Sequence, residues 1–178
     1  KVNAALCSTI LINNFNVSKI IFSGVAGSIN IKLKIGDIVI SSDLIEHDFD
    51  TTSFGEEFGQ IPRMKEWKFK ADKDLIDIAA DVCVKNNFNF IIGRILSGDQ
   101  FINSSEKIKW LREQFSGDAV EMEGAALAHV CYLFNIPFVV IRSISDNADD
   151  SSHIDFKEFC LLAAENSKKI ICGLLEKI

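Results

Sequence analysis

Short apolar runs rich in β-branched residues alternate with longer segments of helical spacing along almost the whole chain, and that alternation leaves few folds open. Lys19-Ile20-Ile21-Phe22-Ser23, Asp37-Ile38-Val39-Ile40-Ser41, Phe90 to Leu96, Ala119-Val120 and Phe138 to Ile144 read as strands. Helical spacing runs over Lys1 to Phe15, Asp74 to Asn86, Ser104 to Phe115, Gly124 to Phe134 and Asp155 to Ile178. Ser104 or Ser105 would cap the third of these helices, and Asp155 would start the last. The pattern predicts a mostly parallel sheet covered by helices on both faces. Ile45 to Pro62 breaks it: that stretch is polar, bears glycine, and carries Phe49, Phe54 and Phe58, so it reads as a long functional loop.

With 178 residues and no repeat, low-complexity tract or linker, residues 1–178 are expected to form one domain. The net charge of −6 argues against nucleic acid as a partner, because phosphate binding needs a basic face. No apolar run is of membrane-spanning length and no signal-peptide pattern is visible, so the expectation is a cytoplasmic protein with no membrane partner. Five cysteines without a CxxC pair fit a reducing compartment, and Cys83, Cys131, Cys160 and Cys172 lie among apolar residues as expected buried thiols. His47, His129 and His153 lack metal-ligand spacing, so no metal and no cofactor is expected. Lys1 opens directly into a helical pattern, which suggests that an N-terminal portion precedes it.

Three strand ends are polar in ways a core does not require. The run Ile136 to Val140 continues into Ile141-Arg142-Ser143-Ile144-Ser145-Asp146. Ligands of α/β sheets bind beyond the carboxyl ends of strands, and a carboxylate leaving a dry interior there is placed to hold or deliver a proton. Asp146 could instead cap the next helix. Ser97-Gly98-Asp99-Gln100-Phe101-Ile102-Asn103 sets an aromatic ring among small polar groups; Phe101 could stack on a planar ring while the backbone of Ile102 reads its edge, or Phe101 could simply pack. Glu121 and Glu123 straddle Met122 on an extended segment and should point the same way. A carboxylate facing a pocket suits the paired hydroxyls of a ribose, although one of the two could serve the helix dipole. Gly24-Val25-Ala26-Gly27 adds an expected tight turn at a strand end, and it fits neither a P-loop nor GxGxxG.

These segments, taken with His47-Asp48, Phe54-Gly55, Gly59-Gln60-Ile61-Pro62 and Asn147-Ala148-Asp149, resemble the 5′-methylthioadenosine/S-adenosylhomocysteine nucleosidases over nearly the whole chain. The resemblance implies a three-layer α/β/α nucleoside phosphorylase-like fold with a central mixed, mostly parallel sheet. It implies hydrolysis of the N-glycosidic bond, releasing adenine and a thioribose. Asp146 would protonate adenine N7 and Ser145 would orient it. Phe101 would stack on the base and the Ile102 backbone would bond its edge. Glu123 would hold the ribose hydroxyls above Met122, and Arg142 would help position the attacking water. Phe156 would line the 5′-thio pocket, joined by Phe54 and Pro62 from the neighbouring subunit of a homodimer. Val25 stands where many members carry Ser. The family's water-activating glutamate would lie on a strand preceding Lys1, and by the family's usual length the chain resembles a nucleosidase lacking about its first fifty residues. A purine nucleoside phosphorylase of the same fold is the nearest rival, but phosphate binding needs arginine at the glycine segment, where this chain has Phe22-Ser23. A non-catalytic nucleoside-binding or adhesion fragment is the remaining alternative.

Overall fold

The computed structural model describes residues 1–146 and 152–178, and the side chains of residues 152–158 and 160 fall outside that description. In chain order the elements are α1 (Val2–Phe15), β1 (Ile20–Ser28), β2 (Ile38–Glu46), β3 (Phe69–Lys70), α2 (Lys73–Lys85), β4 (Phe90–Ser97), α3 (Ser105–Phe115), β5 (Ala119–Glu121), α4 (Gly124–Phe134), β6 (Phe138–Asp146) and α5 (Ser152–Leu175). A 3₁₀ turn covers Thr52–Phe54. Helix ends follow ordinary capping chemistry. Asp72 accepts the Leu75 N–H at 3.0 Å, and Ser104, not Ser105, accepts that of Lys107 at 3.4 Å. Ser116 and Asn135 close α3 and α4 in the left-handed conformation.

The sheet is mixed. Its long registers are parallel, β1 with β6 and β2 with β4, and β4 also pairs β5 in parallel. β1 with β5, β2 with β3 and β2 with β6 are antiparallel. The order β2-β4-β5-β1-β6 returns to β2, because Ile38, Val39 and Ile40 pair with Ser143, Arg142 and Ile141. The sheet therefore closes on itself. Beyond that seam the same edge of β2 takes up β3, through Asp43 and Leu44, so β2 leaves little unpaired edge.

Alternation along the strands distributes the core. Val139 and Ile141 of β6, with Ile38 and Ile40 of β2, pack against Leu75, Ala79 and Cys83 of α2 and Ile170 and Leu174 of α5. Phe138, Val140 and Ile144 turn the other way, toward Ala125, Leu127, Ala128 and Cys131 of α4. Ile45, Leu96 and Val120 bury Ile108, Leu111 and Phe115 of α3. α1 packs on α4 and leaves Val2, Leu6, Ile10, Leu11 and Phe15 exposed.

Several expectations need correction. Gly24 to Gly27 is strand, not turn: β1 runs through Ser28, and neither glycine has positive φ. The segment starting at Ile45 is not wholly loop. β2 extends to Glu46, Ile45 is core, Phe49 packs on the core, and Phe58 meets Trp110 edge-on at 5.4 Å. The two-residue β3 gives no sequence signal of its own. α5 begins at Ser152, ahead of Asp155. Cys172 is exposed rather than buried, whereas burial pushes the thiols of Cys83 and Cys131 up to about 11 and about 12. The Cys160 side chain lies outside the described residues. His129 is half-buried, stacked on Phe69 at 4.9 Å, with Nδ1 3.3 Å from Glu46 Oε1. Among the described residues no helix is long and apolar enough to cross a membrane.

Candidate active site

A cavity of about 250 Å³ opens at the carboxyl ends of β4 and β6, beside β5 and the far half of β1. Its wall is built from Val25, Ala26 and Gly27; Gln100, Phe101 and Ile102; Val120 to Glu123; and Ser145 with Asp146. Adjacent strand residues normally face opposite sides, yet Ser145 and Asp146 both belong to this wall and both are buried. The register explains it. Ala26 pairs with Ile144 and Gly27 with Asp146, so Ser145 is an extra residue on β6. Such a bulge re-aims side chains. Here it lets the Ser145 hydroxyl donate to Asp146 Oδ2 at 2.8 Å while lying 3.4 Å from the Ala26 carbonyl.

Glu121 and Glu123 do not act as a matched pair. β5 ends at Glu121 and the chain bends at the next two residues. Glu121 is buried and its carboxylate sits at the N-terminus of α4, accepting the N–H of Glu123 at 3.1 Å and that of Gly124 at 2.8 Å. Ser97 Oγ bonds its other oxygen and accepts the Ala125 N–H at 2.7 Å. Glu123 stays exposed in the cavity wall.

Arg142 is 1% exposed and is not part of that wall. Its Nη2 lies 2.5 Å and its Nε 3.2 Å from Glu121 Oε2, and its guanidinium carbon sits 4.3 Å from the Phe22 ring centre. This explains Gly24, its register partner on β1. A Cβ at Gly24 would come within 2.6 Å of Arg142 Nη1. A buried ion pair of this kind is held by completed hydrogen bonds rather than by net Coulomb gain, and Glu121 has them.

The segment after β4 carries Phe101, 46% exposed, and Ile102, buried. Val25 lines the cavity across from them, so the absent hydroxyl leaves an apolar wall there. Met122 is half-buried beside Glu123. Phe54 is 85% exposed on the 3₁₀ turn and Pro62 is exposed; neither lines the cavity of this single chain. Phe156 falls within α5, but its side chain lies outside the described residues, as do Asn147, Ala148 and Asp149. Sequence reading missed Gln100 in the wall and the bond set of Glu121. A glycine lying opposite an arginine is a signal only once the register is known. Among the described residues no Lys, Arg or His lines the cavity, and no group of His, Cys, Asp and Glu is arranged to hold a metal ion.

The family model of the phosphorylase superfamily matches residues 1–176 of this chain. Among curated proteins, the 5′-methylthioadenosine/S-adenosylhomocysteine nucleosidase of Staphylococcus haemolyticus is 42% identical over 99% of this chain and 77% of its own length. The structure of the nucleosidase of Neisseria meningitidis in complex with methylthio-immucillin-A superposes with a TM-score of 0.96 at 38% identity, over 100% of this chain and 78% of that one. The native futalosine hydrolase of Helicobacter pylori gives a TM-score of 0.96 at 38% identity, over 100% and 76%. Within the superfamily, the chain belongs to the 5′-methylthioadenosine/S-adenosylhomocysteine nucleosidases.

Proposed function

We propose that this protein hydrolyses the N-glycosidic bond of 5′-methylthioadenosine and S-adenosylhomocysteine, releasing adenine and the thioribose. The observation that carries the reading is the β6 bulge. It sets a buried carboxyl, oriented by a neighbouring hydroxyl, into a cavity that also holds an aromatic ring and an exposed carboxylate. Adenine leaves poorly as an anion and readily once protonated at N7. Asp146, whose side chain is buried at the end of β6, supplies that proton as general acid. Ser145 fixes its orientation. Phe101 stacks on the base and the Ile102 backbone reads its edge, while Glu123 grips the ribose hydroxyls over Met122. Val25 packs near the sugar. Arg142 acts on the site indirectly: it holds Glu121, whose carboxylate accepts the backbone N–H of Glu123.

Hydrolysis is favoured over phosphorolysis on electrostatic grounds. A phosphate dianion would enter a wall bearing three carboxyl groups and, among the described residues, no cationic side chain. Residues 1–178 act as a single domain. The working assembly is a homodimer in which Phe54 and Pro62 reach the neighbouring site and, with Phe156, complete the 5′-thio pocket. The exposed apolar residues of α1, together with Leu133 and Phe134 of α4, support such a pairing. The place of action is the cytoplasm, in methionine salvage.

The test follows adenine release from methylthioadenosine by the full natural chain, with and without phosphate. Release should be independent of phosphate and yield free methylthioribose. Asp146→Asn should lower it by about 10²-fold or more while adenine still binds. Formation of a sugar 1-phosphate, or near-normal turnover by the variant, would remove the reading.

A further inference from the structure

The segment 98–104 belongs to no helix or strand, yet it presents Phe101 and Ile102 to the cavity. One end is fixed by the Ser104 cap of α3. The other is fixed from β2. The ladder continues past Glu46 and Ser97 through the His47 N–H to the Ser97 carbonyl at 2.9 Å, and the Gly98 N–H reaches the Glu121 carbonyl at 3.1 Å. Asp48 then takes the next position: its Oδ2 accepts the Asp99 N–H at 2.8 Å. Lys1 holds that carboxylate, with Nζ 2.8 Å and 2.9 Å from the two oxygens, and also reaches Asp99 at 3.2 Å and Glu46 at 3.7 Å.

We propose that Asp48 is a positioning residue for the base site: its carboxylate, braced by Lys1, anchors the Asp99 N–H and thereby sets the height of Phe101 and Ile102 against the bound purine. The proposal rests on the reading that Phe101 and Ile102 hold adenine. As a contributor to stability a partly exposed ion pair of this kind is weak. As an anchor it is effective, because a hydrogen bond from a backbone N–H to a charged acceptor is short and directional. Burial opposes ionisation of Asp48, yet the Lys1 ammonium and the Asp99 N–H outweigh it and hold the carboxyl below its ordinary range. Only Gln100 separates the anchored Asp99 from Phe101, so little slack lies between them.

The test compares Asp48→Asn, Asp99→Ala and Phe101→Ala in the full natural chain. Calorimetry gives the affinity for adenine and for methylthioribose, and steady-state assays give kcat and KM. Asp48→Asn should weaken adenine by about tenfold, the loss expected for one hydrogen bond to a charged group. Methylthioribose affinity should stay within about twofold, and KM should rise more than kcat falls. Asp99→Ala, which keeps the backbone N–H, should leave both affinities within about twofold. Wild-type adenine affinity in Asp48→Asn, alongside a loss in Phe101→Ala, overturns the anchor and leaves the base site standing. No loss in Phe101→Ala overturns the base site and the anchor with it. Equal weakening of adenine and methylthioribose, or a loss in Asp99→Ala as large as in Asp48→Asn, also overturns the anchor.

Discussion

His47 ties the stability of this fold to pH in a window of its own. The ring is 1% exposed, and neither nitrogen finds a hydrogen-bond partner in another residue among those described. It lies against Gly98, where a Cβ would collide with it, and edge-on to Phe115. Burial is the main reason its pKa falls from 6.5 to about 4; neighbouring Asp48 works in the opposite direction. The unfolded chain takes up a proton near pH 6.5 and the folded chain not until about pH 4. The stability is therefore complete above the unfolded value and drains away as pH falls between the two. The full loss is about 3 kcal/mol, and about 2 kcal/mol of it is gone between pH 7 and pH 5. Asp48 and Asp50, held below 3.8, lose their contribution only at lower pH. Urea unfolding at pH 7, 6 and 5 measures the slope. His47→Leu should flatten that part of the curve and unfold no more easily at pH 5 than at pH 7. An unchanged slope in the variant would refute the assignment to His47.

Removing the partner of Arg142 should be severe. Glu121→Ala strands a buried guanidinium and leaves the N–H groups of Glu123 and Gly124 without their acceptor, so a loss of about 3–5 kcal/mol is expected by urea midpoint, with Glu121→Gln much milder. Light scattering of the full natural chain should give twice the subunit mass, and Leu6→Glu, on the exposed apolar side of α1, should shift it toward monomer. A monomer at micromolar concentration with full activity would refute the shared site.

The parts of the fold legible in the sequence were those with local causes. β4, α3, α4 and β6 fall within a residue or two of where periodicity and capping put them, because apolar spacing and a capping serine act on near neighbours. What escaped depends on pairing. A glycine pair in Gly24-Val25-Ala26-Gly27 suggests a turn, but the space opposite Arg142 is a matter of register, and register is invisible until β1 and β6 lie side by side. Likewise Ser145-Asp146 reads as an alternating strand end, and only the slip after Ala26 brings both side chains to one wall. Ile45 looked like loop because the polar residues that follow it dominate the local composition, while its burial comes from α3, sixty residues on. The polar strand ends pointed to Phe101, Ile102, Met122, Glu123, Ser145 and Asp146, and these do meet at one cavity. For Arg142 the sequence could not distinguish a side chain entering the cavity from one turned back to Glu121.

The seam between β2 and β6 joins residues about a hundred positions apart. Such a pairing is expensive to nucleate, since the entropy of closing a loop is lost before the contact returns anything, and chains dominated by distant pairings fold slowly. The local units, α2 with β4 and α3 with β5, can form early. β6 takes its place only once β1 and β2, far behind it in the chain, come to lie beside it, and Asp146 is its last residue. On the proposed reading the acid of the site arrives only with β6, so partly folded chains that lack this pairing, however compact, should hold no competent site.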